Sequence, residues 1–234
     1  MQEGRAGYRV DRCVSFLLVG DQPYAEHMVA SAKEVLGLPI VQMSDYDTPA
    51  VKGVTEVVRI VKEIPLMPFR LMHLAQFWHE EMLILDTDVI VKRPVDDVWA
   101  RKFDVALCRR NDEYCFDTTT GRNIAKKMPV NTGVMFSRGN SFWAEAAMWL
   151  CDQPKYHDWW GDQMAVAEVC RRGKYHVLLL PESEFNWSPI DEHDTSEARF
   201  WHYKGKHRKA WISGSLQATT PEKPSPTMFS LNPS

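Results

Sequence analysis

The 234-residue chain has no C-x-x-C pair, no excess of positive charge and no apolar run of membrane length. Its five cysteines (Cys13, Cys108, Cys115, Cys151 and Cys170) are scattered and odd in number. That rules out a zinc-ribbon pattern and suits free thiols in a reducing compartment. Lysine and arginine total 28 against 31 aspartates and glutamates, a net charge of -3, so a nucleic-acid partner with its demand for a broad basic face is not expected. The first ten residues are polar, and the apolar stretch at 14–20 is too short for a signal core or a membrane span. The expectation is a cytoplasmic protein with no membrane span. Internal repeats are absent too.

What is present is ordinary in bulk and unusual in detail. A hydrophobic fraction of 44% with 25% charged residues is typical of a soluble globular chain long enough for one large domain or two small ones. Nine tryptophans and seven tyrosines are many for this length. Aromatic faces suit sugars and bases, although burial accounts for most tryptophans in most proteins.

Hydrophobic patterning predicts alternating strands and helices. Residues 13–20 read as a buried first strand, broken at Asp21-Gln22-Pro23-Tyr24. A helix then runs to Leu36, with Met28, Ala32, Val35 and Leu36 on one face and Gly37 closing it. Strands are expected at 39–43 and 55–61, a helix from Phe69 to about Trp78, and a turn or short helix at 94–99. Further strands are predicted at 103–107, 134–137 and 175–180, and helices at 142–151 and 161–172. Residues 109–128, with Thr118-Thr119-Thr120-Gly121 at their centre, read as a mobile loop. After Trp211 the composition turns to Ser, Thr, Pro and Lys, and 213–234 reads as a mostly disordered tail. Such alternation points to an α/β sheet that is mostly parallel.

The most informative segment is Met82-Leu83-Ile84-Leu85-Asp86-Thr87-Asp88. A strand-length apolar run ends in two carboxylates, and ionised groups at the end of a core strand need compensation. A divalent cation bridging to phosphate oxygens supplies it. In isolation the pair equally suits a solvated turn. Five more segments are polar where burial is expected. Arg70 opens the helix leading into the Asp-x-Asp strand, and either pairs with the aspartates or a phosphate or is an exposed arginine. Asn131-Thr132-Gly133 precedes an apolar strand, as a simple turn or as a place where a ligand approaches the backbone. Asp162 and Gln163 open a helix after two tryptophans; Asp162 suits a cap and the pair suits sugar hydroxyls. Asn186, between Phe185 and Trp187, suits a pocket wall or a capped loop. His202, followed by Gly205 and by Lys206-His207-Arg208-Lys209, offers an imidazole ligand and positive charge, or a solvated basic face.

In this order the segments resemble the GT-A fold glycosyltransferases, most closely the glycogenin and lipopolysaccharide galactosyltransferase-like family 8, over residues 14–211. The strongest pieces are Leu83-Ile84-Leu85-Asp86-Thr87-Asp88, Asn131-Thr132-Gly133-Val134-Met135-Phe136, Gly161-Asp162-Gln163 and His202-Tyr203-Lys204-Gly205. The resemblance implies an α/β GT-A fold, a single Rossmann-like domain over 1–212 with a mixed, mostly parallel central sheet flanked by helices. It implies a divalent-metal-dependent hexosyltransferase moving a sugar, with retention, from a nucleotide-diphosphate sugar (UDP-linked) to an unknown saccharide, protein or lipid-linked acceptor. Asp86, Asp88 and His202 would hold Mn²⁺ or Mg²⁺, with Asp86 also near the ribose. The first-strand loop Gly20-Asp21-Gln22-Pro23-Tyr24 would hold the base, with Tyr24 stacking on uracil, and Thr87 and Gly205 would touch the nucleotide. Arg70 would lie near the phosphates or donor sugar, Asp162 and Gln163 would contact the donor sugar at the reacting face with Arg70 in the catalytic set, and Asn131, Thr132, Gly133 and Asn186 would contact the sugar. The family's closing Lys-Pro-Trp is replaced by Arg208-Lys209-Ala210-Trp211, so either Arg208 or Lys209 would reach the diphosphate. Two alternatives stay open. A nucleotidyltransferase would share the sheet, but Val19-Gly20-Asp21-Gln22-Pro23 is not its Gly-rich phosphate loop. A catalytically inactive nucleotide-sugar-binding module would share the fold without turnover.

Overall fold

The computed structural model describes residues 12–77, 79–111, 115–116, 121–157 and 160–215. Nine strands and seven helices are found among them. In chain order they are β1 (Arg12–Leu18), α1 (Ala25–Leu36), β2 (Ile40–Ser44), β3 (Glu56–Arg59), α2 (Leu66–Gln76), β4 (Glu81–Leu85), β5 (Val89–Val91) and α3 (Asp96–Trp99). There follow β6 (Val105–Arg109), β7 (Val130–Arg138), α4 (Ser141–Cys151), α5 (Gly161–Arg171), β8 (Val177–Leu180), α6 (Glu182–Phe185), β9 (Phe200–His202) and α7 (Gly205–Ser215). Seven strands form one sheet in the order β3-β2-β1-β4-β7-β6-β8, while β5 and β9 pair separately. Only β7 runs against its neighbours in the large sheet, so the expected mixed, mostly parallel α/β sheet is what the chain forms.

The continuous apolar run of β4 is explained by burial on both faces. Leu83 and Leu85 join Val14, Phe16 and Phe136 in a core closed by α1 through Ala25, Met28 and Ala32. Met82 and Ile84 point the other way, into a core with Leu71 and Leu74 of α2, Trp143 of α4 and Val166 of α5. The turn after α1 is made by Gly37 at φ 63°, whose amide bonds the Lys33 carbonyl at 3.1 Å.

Several sequence expectations shift. Helix α2 starts at Leu66 rather than Phe69, because Pro68 sits inside the first turn, where its missing N–H costs nothing. Strand β7 starts at Val130, so Asn131-Thr132-Gly133 lies within the strand and not before it. Strand β8 is shorter than expected and lies at the sheet edge, with Leu179 45% exposed, so it is not the buried strand its apolar run suggested. The basic segment after Gly205 is helical through Ser215, three residues into the stretch expected to be a tail; 216–234 lie outside the described residues. Thr118, Thr119 and Thr120 of the expected loop lie outside them as well, as does Trp159. The loop's described flanks carry a bridge between Phe116 and Asn123 and a 3₁₀ turn at Ala125–Lys127. Among the described residues no helix is long and apolar enough to cross a membrane.

Candidate active site

Asp86 follows the last residue of β4, and its backbone amide bonds the Gly133 carbonyl at 2.9 Å, which ties the end of β4 to β7. The chain turns immediately: the Val89 amide reaches back to the Asp86 carbonyl at 3.2 Å, and β5 begins. Strand β9 pairs with β5 so that His202 faces Val89, one residue beyond Asp88. A short antiparallel pair thus carries an imidazole from more than a hundred residues away to the two carboxylates. His202 Nε2 lies 3.1 Å from Asp88 Oδ1 and 3.6 Å from Asp86 Oδ2.

A register shift in β7 completes this wall. Leu107 of β6 faces Met135, but the next residue, Cys108, faces Asn131. Thr132, Gly133 and Val134 therefore leave the pairing with β6, while Val134 stays paired with Leu85 of β4, as bulges do next to functional sites. The Asn131 side chain accepts the Gly133 amide at 2.8 Å and stabilises the bulge. Gly133 is required there, since a Cβ would fall inside the van der Waals shell of His202 Cε1 and Nδ1.

Arg70, reaching out of α2, is the hub of the buried polar network. Its guanidinium donates to Asp162 Oδ2 at 2.8 Å, to Asp86 Oδ1 at 2.7 Å and to the Thr132 carbonyl at 2.9 Å. Burial alone would loosen its proton; the two carboxylates more than reverse that and raise its pKa. Asp162, second residue of α5, also accepts the Thr132 hydroxyl at 2.9 Å and the Gln163 amide at 2.8 Å. Burial pushes the Asp162 carboxyl upward against the pull of Arg70. Burial would raise Asp88 too, but His202 and Lys209 outweigh it and hold that carboxyl well below the usual range. Lys209 Nζ, from α7, lies 2.8 Å from Asp88 Oδ2. Arg110, just past β6, donates to Gln163 Oε1 and, through Nε, to the Met128 carbonyl at 3.1 Å. Such networks are costly to assemble and destabilising when half satisfied.

These groups line a cleft of about 450 Å³. Of the residues singled out in the sequence, Arg70, Asp86, Asp88, Asn131, Thr132, Asp162, Gln163, His202, Gly205 and Lys209 line it. Seven do not. Gly20 donates its amide to Thr48, and Asp21 is exposed. Tyr24 packs on the small core formed by Ile90, Trp201 and Tyr203, with Lys209 Nζ 5.7 Å from its ring. Thr87 donates to Gln22 Oε1 at 2.9 Å. Gly133 and Asn186 lie behind His202, and Arg208 turns away to the Pro189 carbonyl at 2.7 Å. Met67 and Arg110 line the cleft without having been singled out, and Gln22 and Lys204 line it from the loop after β1 and from the segment His202-Tyr203-Lys204-Gly205. Arg110 had a visible signal, a cation closing an apolar strand; Met67 had none.

The donor set suits a divalent cation. Two carboxylates and one imidazole each offer an atom within 4.8 Å of the others, and no other such group of three occurs among the described residues. Oxygen with a single nitrogen is a set that Mn²⁺ accepts readily and Mg²⁺ tolerates.

No family model matches the sequence, and no curated protein sequence does. Solved structures do. A galactosyltransferase, LgtC, in complex with donor and acceptor sugar analogues, superposes with a TM-score of 0.56 at 15% identity, covering 89% of this chain and 97% of that one. A glycosyltransferase involved in glycosylation of the major capsid of PBCV-1 superposes at 0.57 with 16% identity, covering 86% of this chain and 99% of that one. At such identities the likeness is one of fold, and the fold is the GT-A type.

Proposed function

We propose that this chain is a GT-A glycosyltransferase that moves a sugar from a nucleotide-diphosphate sugar, UDP-linked, to an acceptor hydroxyl, with a divalent cation on Asp86, Asp88 and His202. The observation that carries the reading is the convergence of those three side chains, from the end of β4 and from β9, at a cleft lined by cations. It is supported by the fold shared with two glycosyltransferases.

In the reaction the bond between the anomeric carbon and the diphosphate oxygen breaks, and its electron pair leaves with the diphosphate. The acceptor oxygen bonds to the anomeric carbon, and its proton passes to the departing phosphate oxygen. When bound, a divalent cation on the three ligands offsets the charge growing on that leaving group. Lys209, held at Asp88, brings a further positive charge to the same place, and of the two basic residues only it lines the cleft. Arg70 is fixed by Asp86 and Asp162 and cannot swing, so its role is preorganised field and geometry. Asp162, with its oxygens already engaged by three donors, orients Arg70 and the start of α5. Gln163, Asn131, Thr132, Arg110 and Lys204 are assigned to the sugar hydroxyls. Attack on the face from which the diphosphate departs gives retention and needs no carboxylate pair of the glycosidase kind.

The domain is proposed to end with α7. The free cysteines suit the cytoplasm. Lys209 on Asp88 also favours a second reading, a module that binds nucleotide-sugars on its own cations without turnover. A screen of nucleotide-sugars for metal-dependent hydrolysis separates the two without an acceptor. Transfer predicts slow hydrolysis of one donor, abolished in Asp88→Ala while the fold persists. Undiminished hydrolysis in Asp88→Ala would sink the assignment.

A further inference from the structure

We propose that Asn186 is a positioning residue for His202: the Asn186 side-chain carbonyl accepts the Nδ1–H of the imidazole, which leaves Nε2 as the ring atom that a cation bound with Asp86 and Asp88 takes as its ligand. The inference rests on the metal site proposed above and adds a residue to it that touches neither metal nor substrate.

The geometry comes first. Asn186 is fully buried, and its Oδ1 lies 2.7 Å from His202 Nδ1. A neutral imidazole carries one proton, and only the nitrogen without it can ligate. An amide oxygen at Nδ1 selects the proton there, which leaves Nε2 as the ligating atom on the side of the carboxylates. The ring is also confined by the bare backbone of Gly133, where a Cβ would collide with its Cε1 and Nδ1.

The backbone shows that Asn186 is held for this purpose. Its amide bonds the Glu182 carbonyl at 2.9 Å, the cap of α6. The next residue, Trp187, donates its amide to the Phe200 carbonyl at 3.1 Å and accepts the His202 amide at 2.6 Å. Asn186 is therefore locked in register with β9, the strand that carries His202. Its energetics argue against mere packing. Among the described residues Asn186 Nδ2 is buried with no hydrogen-bond partner, a cost that leucine, close in shape, would not incur. An asparagine that leaves half its amide unsatisfied is retained for the other half.

The test is Mn²⁺ binding to the full chain, by calorimetry, with electron-spin-echo detection of nitrogen coupled to the bound ion, in wild type, Asn186→Leu, Asn186→Asp and Asp88→Ala. Wild type binds and shows a nitrogen ligand; Asp88→Ala does not bind. Asn186→Leu should weaken Mn²⁺ by about 10–100-fold and reduce the nitrogen signal, the usual cost of losing a ligand's hydrogen-bond partner. Asn186→Asp restores an acceptor and should bind at least as tightly as wild type; it keeps the test alive if the leucine variant does not fold. Asn186→Leu binding Mn²⁺ as wild type does, or Asn186→Asp binding as weakly as a variant with no acceptor, overturns the inference alone. Wild type that binds no Mn²⁺ overturns the metal site and the inference together.

Discussion

Arg70 answers for more of the cleft than any other single residue, because it neutralises two carboxylates from two different elements. Its side chain is 9% exposed and that of Asp162 2%, while Asp86 is 32% exposed. Replacing Arg70 by methionine keeps the volume and strands both acids. Removing one partner of a buried pair costs about 3–5 kcal/mol; with Asp86 partly solvated, the low end, about 3 kcal/mol, is expected in denaturant unfolding. Activity should fall with it. Arg70→Lys, which retains charge but not the fork that reaches both acids, should recover stability only in part. A second expectation concerns Gly133→Ala. The added methyl collides with the His202 ring, so Mn²⁺ affinity should fall at least about tenfold even where the overpacking itself costs only about 1–3 kcal/mol. The sequence brought Asp86, Asp88 and His202 forward only in combination, since two carboxylates after an apolar strand suit a turn equally well until the other segments are read in order with them. It could not tell what Gly133 approaches, because its neighbour is supplied by a strand nearly seventy residues later.

Single elements place these groups, and two of them are open to test. Helix α5 starts at Gly161, where a Cβ would run into the Tyr156 carbonyl oxygen. Gly161→Ala must therefore shift the start of α5 and carry Asp162 and Gln163 with it. Turnover is expected to drop more steeply than the melting temperature, because the chemistry depends on sub-ångström placement while the core faces of α5 can re-seat. Helix α2 holds a buried imidazole, His73, whose Nε2–H reaches the Ser44 carbonyl at 3.1 Å while Nδ1 has no partner among the described residues. Burial lowers its pKa to about 4 from 6.5. The unfolded chain thus takes up a proton as pH falls below about 6.5 and the native chain does not, so stability is lost as pH drops from there toward about 4. Between about pH 7 and about pH 5 this amounts to about 2 kcal/mol. Urea unfolding of wild type and His73→Gln at the two pH values should show the variant losing less by that margin; parallel losses would mean His73 titrates normally. Period and turn residues announced most elements. The bulge in β7 was invisible because a register shift belongs to a pair of strands. Helix α7 escaped because its residues are basic and its apolar side is narrow.

The whole molecule gathers its polar groups along one edge of the sheet. Asp86 and Arg110 come from the ends of β4 and β6, while Asn131 and Thr132 come from the start of the reversed strand β7. Parallel sheets bind ligands at the carboxyl ends of their strands, and reversing one strand lets its beginning join them. This is why motifs spread over more than a hundred residues meet, and why their order along the chain was informative when each alone was not. The expected base-holding loop is where the cleft matches the sequence reading least. The loop Gly20-Asp21-Gln22-Pro23-Tyr24 was expected to hold the base; Gln22 lines the cleft, whereas Asp21 is exposed and Tyr24 packs against Ile90, Trp201 and Tyr203. The central claim is that Asp86, Asp88 and His202 join a divalent cation to a nucleotide diphosphate. Calorimetry of UDP with the full chain, with Mn²⁺ and then with chelator, measures that linkage directly. Affinity should fall at least about tenfold, about 1.4 kcal/mol, when the cation is removed. UDP binding of equal strength in both conditions would contradict the account.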